Sequence, residues 1–150
     1  MELSSSAFPN GGHIPTRYTC EGENVSPPLA WSGVPEDARA MALVVDDPDS
    51  PSKVWVHWVL YNLPPDVGML PEGTRGLEAT PREGQNDFGD VGYGGPCPSR
   101  GTHRYRFKLY ALDDHLDVRE GCTKEDLLKA MDGHVLDEAE LTGTYALIKR

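Results

Sequence analysis

One stretch limits most strongly what this chain can fold into. Met41 to Val45 is apolar without a break, and it stops at Asp46-Asp47-Pro48-Asp49-Ser50-Pro51. The chain then turns apolar again from Val54, with His57 set inside the new run. A continuous apolar run suits a strand covered on both faces, so Ala38 to Val45 reads as a buried strand. Val54 to Leu63 is rich in β-branched and aromatic residues and reads as a second strand. On an alternating strand Trp55, His57, Val59 and Tyr61 share one face, and Val54, Val56, Trp58 and Leu60 the other. A carboxylate-rich turn, an indole and an imidazole then meet at one strand end.

The remainder of the chain favours the same class. Its 16 glycines and 13 prolines follow no period, a pattern of short strands joined by turns rather than of a helical bundle. Leu3 to Phe8 reads as an edge strand and Leu29 to Trp31 as a brief one. His103 to Leu112 alternates cleanly, with His103, Tyr105, Phe107 and Leu109 on one side and Arg104, Arg106, Lys108 and Tyr110 on the other. Leu141 to Ile148 reads as the last strand. Met69 to Asp90 has no period and reads as a long loop. One helix is expected, with Thr123 as N-cap, Asp126 at the capping-box position, Leu127, Leu128 and Met131 as its apolar face, and Gly133 as its stop. The sum is a β-sandwich of one domain, residues 1–150.

Charge narrows the function classes. The formal net charge is -10, which disfavours nucleic acid and an anionic membrane surface, since both recruit basic patches. No apolar run is long enough for a membrane-spanning helix. The first residues, Met1 to Ser6, have neither the basic region nor the apolar core of a signal peptide, so a cytoplasmic protein is expected. Cys20, Cys97 and Cys122 are odd in number and lack metal-ligand spacing; free thiols are expected.

Chemistry concentrates in two places. Gly94-Gly95-Pro96 lets a backbone turn approach a ligand and offer its N–H groups to an anion. His103 and Tyr105 follow on one strand face. Asp46, Asp47 and Asp49 either cap their own turn through Asx hydrogen bonds or orient an imidazole. Asp47, His57 and His103 have the makings of a two-His, one-carboxylate metal set. They sit on separate elements without close His spacing, so anion binding is preferred and no metal or cofactor is expected. No serine lies in a nucleophile elbow, and an enzyme is not expected. Cys97 is the cysteine nearest the candidate site.

These segments carry a family resemblance. Asp47-Pro48-Asp49-Ser50-Pro51, Trp55-Val56-His57-Trp58, Tyr93-Gly94-Gly95-Pro96-Cys97-Pro98 and His103-Arg104-Tyr105-Arg106-Phe107 resemble, in order, the signature regions of the phosphatidylethanolamine-binding proteins. Tyr18-Thr19-Cys20-Glu21-Gly22 and Asn86-Asp87-Phe88-Gly89 are similar to the bacterial and archaeal branch, called Raf kinase inhibitor-like. The resemblance implies a large antiparallel sheet packed on a smaller one, with Greek-key connections. It implies a small anion pocket formed by Asp47, Trp55, His57, Gly95, His103 and Tyr105, with Pro51 and Pro96 shaping its walls; the C-terminal helix that borders this pocket in eukaryotic members is expected to have no counterpart here. The expected ligand is a small phosphate-bearing or other anionic group. The alternatives are a module that inhibits a kinase or protease through the Met69-to-Asp90 loop, and a hydrolase using Asp47 and His57. A homodimer is left open. Cys20 and Cys97 both lie in these motif segments, so they could pair under oxidation if close in space.

Overall fold

A computed structural model of the chain describes residues 1–74 and 82–148. Among these residues eight strands form two antiparallel sheets. β1 (Glu2–Ser4), β2 (Leu29–Ser32) and β5 (Met69–Leu70) make a three-stranded sheet in the order β1-β2-β5. β3 (Ala40–Asp47), β4 (Trp55–Leu63), β6 (Arg82–Glu83), β7 (His103–Leu112) and β8 (Val135–Tyr145) make a five-stranded sheet in the order β6-β4-β3-β7-β8. The expected mainly-β sandwich is what forms.

The buried-run reading of β3 has a direct cause. Every residue of β3 is buried, because both faces of the large sheet are covered. Met41, Leu43 and Val45 pack toward the small sheet with Leu29, Trp31, Trp58, Leu60 and Phe107. Ala42 and Val44 pack on the opposite face with Tyr61, Leu127 and Met131. That second core lies under α1 (Lys124–Met131). The capping box forms as expected: Asp126 N–H donates to Thr123 Oγ1 at 3.1 Å, and Thr123 N–H to Asp126 Oδ2 at 3.2 Å. Leu127 and Met131, four apart, share the buried face, whereas Leu128 is turned outward and exposed. After β8 the described residues contain no helix.

Three expectations are revised. β1 ends at Ser4, and Phe8 belongs to the loop that follows, its ring in the core. β8 begins at Val135, six residues before Leu141. Its acidic first half, Asp137-Glu138-Ala139-Glu140, has poor strand propensity, but residue-by-residue pairing with β7 imposes the strand. The 69–90 segment contributes two short strands, and residues 75–81 lie outside the described set. Gly143, which weakens the strand reading of β8, is there for space. A Cβ on it would meet the side chains of Ile14 and Phe8.

Strict alternation fails in β4, and the failure positions the site. Val45 pairs with Trp58, but Asp46 pairs with Val56, so His57 is an extra residue with no partner on β3. This is a β-bulge, the device that re-aims a side chain. Trp58 and Leu60 enter the core between the sheets, while Val56, Val59 and Tyr61 enter the outer one. His57 therefore leaves the face that alternation gave it, beside Val59 and Tyr61, and its ring packs edge-on against Tyr105. A second register shift accommodates Asn62, whose φ is +57°.

Candidate functional site

Three neighbouring strands end together. β3 delivers Asp47 at its last position, β4 delivers Trp55 and His57 at its start, and β7 delivers His103 at its start. Antiparallel pairing puts these termini at one end of the large sheet. Between them lies a cavity of about 270 Å³, lined by Asp47, Ser50, Pro51, Trp55, His57, Phe88, Cys97, Pro98, Ser99 and His103. A larger groove of about 420 Å³ beside β1 and β8 holds no histidine.

Each imidazole is held through Nδ1. His57 Nδ1 meets the Gly94 carbonyl oxygen at 2.6 Å. A carbonyl only accepts, so Nδ1 carries the proton and donates. Gly94 N–H returns a bond to the His57 carbonyl at 2.9 Å. His103 Nδ1 donates to Asp47 Oδ2 at 2.6 Å. Both rings line the cavity, which leaves their Nε2 sides for it. Burial pushes the His57 imidazole below its ordinary pKa, against the opposing pull of the Gly94 carbonyl and of the Asp47 and Asp46 carboxylates.

The aspartates divide their work. Asp47 Oδ1 accepts from Asp49 N–H at 2.8 Å, closing an Asx turn, while Oδ2 holds His103. Asp49 is gripped by both arms of the Arg104 guanidinium at 2.9 and 2.8 Å and by the Arg104 N–H at 2.8 Å. That guanidinium holds the Asp49 carboxyl down at about 2. Asp46 points to the other face, between Arg106 and Lys124. Burial pushes its pKa up, but the two cations together outweigh it and the net direction is down. The Asp-Pro-Asp turn is thus anchored at both ends, which fixes Pro51 in the wall.

Several lining residues were not singled out as site residues from sequence. Phe88 packs edge-on against Trp55 at 5.7 Å and His57 at 5.3 Å. Its loop is stitched to β4: Val56 N–H donates to Asp87 Oδ2 at 2.7 Å, and Asp87 N–H to the Val56 carbonyl at 2.9 Å. The Asn86-Asp87-Phe88-Gly89 motif was the available signal. Ser50, Cys97, Pro98 and Ser99 complete the lining.

Not every expected member reaches the cavity. Gly95 N–H donates to Asn24 Oδ1 at 2.8 Å, so it is already engaged. Gly95 is a glycine because a Cβ there would meet the Tyr18 carbonyl oxygen and Asn24 Oδ1. Pro96 is buried and gives its carbonyl to Cys20 N–H at 3.1 Å. Tyr105 lies beneath both imidazoles, with ring centroids 5.2 Å from His57 and 6.4 Å from His103. Its hydroxyl is buried without a protein partner in hydrogen-bond geometry among the described residues. Asp47 is paired with His103 rather than with His57, so the Asp47–His57 couple of the hydrolase alternative does not form a direct contact pair. Among the described residues no group of three His, Cys, Asp or Glu side chains is placed to hold a metal ion.

The free-thiol expectation is overturned. Cys20 and Cys97 form a disulfide with Cα atoms 5.5 Å apart, closing a sequence separation of 77. Cys122 is a buried free thiol. The pairing follows from the contact of the Tyr18–Asn24 segment with the Tyr93–Cys97 wall, where Tyr93 Oη donates to the Tyr18 carbonyl at 2.6 Å.

Comparisons with known proteins agree with the resemblance. The family model described as phosphatidylethanolamine-binding protein matches residues 4–146. A UPF0098 protein of Methanothermobacter thermautotrophicus is 55% identical, covering 97% of this chain and 98% of its own length. The crystal structure of a phosphatidylethanolamine-binding protein homolog from Chlamydia trachomatis superposes with a TM-score of 0.91 at 46% identity, over 97% of each chain. YbcL of E. coli, described as a new member of the mammalian family, superposes at 0.90 with 32% identity, over 97% of this chain and 98% of its own. A buried Asp47–His103 pair, a bulged His57 and a two-sheet frame thus occur in a chain that belongs to the phosphatidylethanolamine-binding protein family.

Proposed function

We propose that the protein binds a small anion, a phosphate-bearing group above all, in the cavity between His57 and His103. One observation carries the reading: both Nδ1 atoms are tied to the protein, so both Nε2 sides are left to a ligand. The cavity, about 270 Å³, is near the lower end of ligand sites and suits a phosphoethanolamine-sized headgroup or a single phosphate rather than acyl chains. Trp55, Phe88, Pro51 and Pro98 supply apolar walls for the carbon skeleton beside the anion.

The reading is of a binder rather than a hydrolase. Asp47 is committed to His103 and to its own turn. His57 and His103 are each held by a carbonyl or a carboxylate rather than by Ser50 or Ser99, the serines of the lining. A second reading, docking on a kinase or protease through the 69–90 segment, is supported by the exposure of Met69 and Phe88. A cytoplasmic location stays part of the proposal, and the redox state of Cys20 and Cys97 in cells tests it.

The deciding experiment is calorimetric titration with sulfate, which stays dianionic around the histidine pKa of about 6.5. An imidazole whose Nδ1–H is engaged donates from Nε2 only when protonated. Sulfate binding therefore takes up protons, and affinity falls as pH rises. Affinity unaffected by pH, or unaffected in the His57→Ala, His103→Ala double variant, would remove the site. Partner capture that survives the double variant would favour the docking segment.

A further inference from the structure

The cavity wall contains a reactive bond that anion binding does not use. Cys97 lines the cavity and Cys20 does not. Both residues are solvent-exposed, and exposed disulfides are those most open to exchange. The wall has ties besides the bond. The segments it joins are also tied by Cys20 N–H to the Pro96 carbonyl, Gly95 N–H to Asn24 Oδ1, and Tyr93 Oη to the Tyr18 carbonyl. These three ties hold the two segments together when the disulfide opens.

The two sulfurs face different electrostatic surroundings. Cys97 shares the cavity with two imidazoles, and the one carboxylate there among the described residues, Asp47, is paired with His103. Cys20 is followed in sequence by Glu21 and Glu23, and Glu72 accepts from Tyr18 and Arg17 in the preceding 3-10 turn, Thr16–Tyr18; among the described residues Arg17 is the one cation set against the three carboxylates. An anionic reagent is drawn toward Cys97 and away from Cys20.

We propose that the cavity directs thiol–disulfide exchange at Cys97, with small thiols that carry an acidic group as the reagents. The proposal rests on the anion-binding reading of the same cavity. The acidic group sits against His57 and His103, and the thiolate attacks Cys97 Sγ. A new S–S bond forms between ligand and Cys97, and the Cys20–Cys97 bond breaks. Its electron pair leaves on Cys20 Sγ, which takes a proton from water. No other oxidant or reductant is consumed, and attack by the Cys20 thiolate reverses the step.

The test treats the oxidised full chain with 2-mercaptoethanesulfonate or with 2-mercaptoethanol at matched thiolate concentration. Released thiols are trapped with iodoacetamide, and the peptides are mapped by mass. The expected result is an adduct on Cys97 with Cys20 alkylated. The sulfonate should react about tenfold faster, the worth of one charge-assisted hydrogen bond. Inorganic phosphate should slow the sulfonate alone, and the His57→Ala, His103→Ala double variant should lose the advantage. Equal rates, or an adduct on Cys20, would overturn the proposal. Calorimetry with inorganic phosphate on the same protein separates the two readings. Phosphate binding without a sulfonate advantage rejects the exchange alone; absence of both rejects the anion site as well.

Discussion

His103 donates its Nδ1 proton to Asp47 Oδ2 at 2.6 Å, from a position 56 residues further along the chain, and both side chains are buried. The second Asp47 oxygen holds the Asp49 N–H. One carboxylate therefore orients a ring and closes the turn that shapes the cavity. An Asn at this position faces two donors with one acceptor. We expect Asp47→Asn and Asp47→Ala each to cost about 1–3 kcal/mol in urea unfolding, and each to weaken phosphate binding. Full stability in Asp47→Asn would show that the pair is not an essential tie.

His57 should make stability depend on pH in a defined direction. Burial lowers its folded-state pKa, while the unfolded value is about 6.5. Between the two, the unfolded chain holds a proton that the folded chain lacks, so stability rises with pH there and falls on acidification below about 6.5. Urea midpoints measured through this range should drop less steeply in His57→Gln than in the parent. Parallel profiles would mean that the imidazole is not buried neutral.

The Cys20–Cys97 bond closes a long loop, with a sequence separation of 77. By the chain-entropy model such a closure stabilises by about 4.5 kcal/mol. Denaturant curves with and without reductant should separate by an amount of that order, and a Cys20→Ser, Cys97→Ser double variant should follow the reduced curve. Superimposed curves would show that the bond does not restrict the unfolded chain.

Gly95→Ala tests whether this glycine serves packing. The added methyl has no room against the Tyr18 carbonyl, Asn24 Oδ1 and Thr19 Cα, and overpacking of this kind costs about 1–3 kcal/mol. The expected phenotype is a lower melting temperature, with phosphate affinity changed only through the displaced wall. Unchanged stability with abolished binding would return Gly95 to the role of anion donor.

The elements that could be read before the fold was known are those whose signal is local. The unbroken apolar run of β3, the alternation of β7, and the Thr123–Asp126 capping box each lie within one short segment, and each forms as read. The first half of β8 is not legible in the sequence, because its acidic residues are held by pairing with β7 rather than by their own propensity. Asp47, His57 and His103 stood out as residue types suited to a site, and the three strand ends do bring them to one cavity.

Local pattern alone determined a buried strand, an alternating strand and one capped helix, and it marked Asp47, His57 and His103 as residue types suited to a site, because burial periodicity and capping act over a few neighbours. Tertiary structure alone decided which imidazole Asp47 holds, that a bulge re-aims His57, that the Gly95 amide is engaged by Asn24, and that Cys20 meets Cys97. These outcomes depend on contacts made 56, 71 and 77 residues apart, or on register between strands. No local preference encodes which distant group arrives within hydrogen-bonding reach; the packing of two sheets around a shared core does.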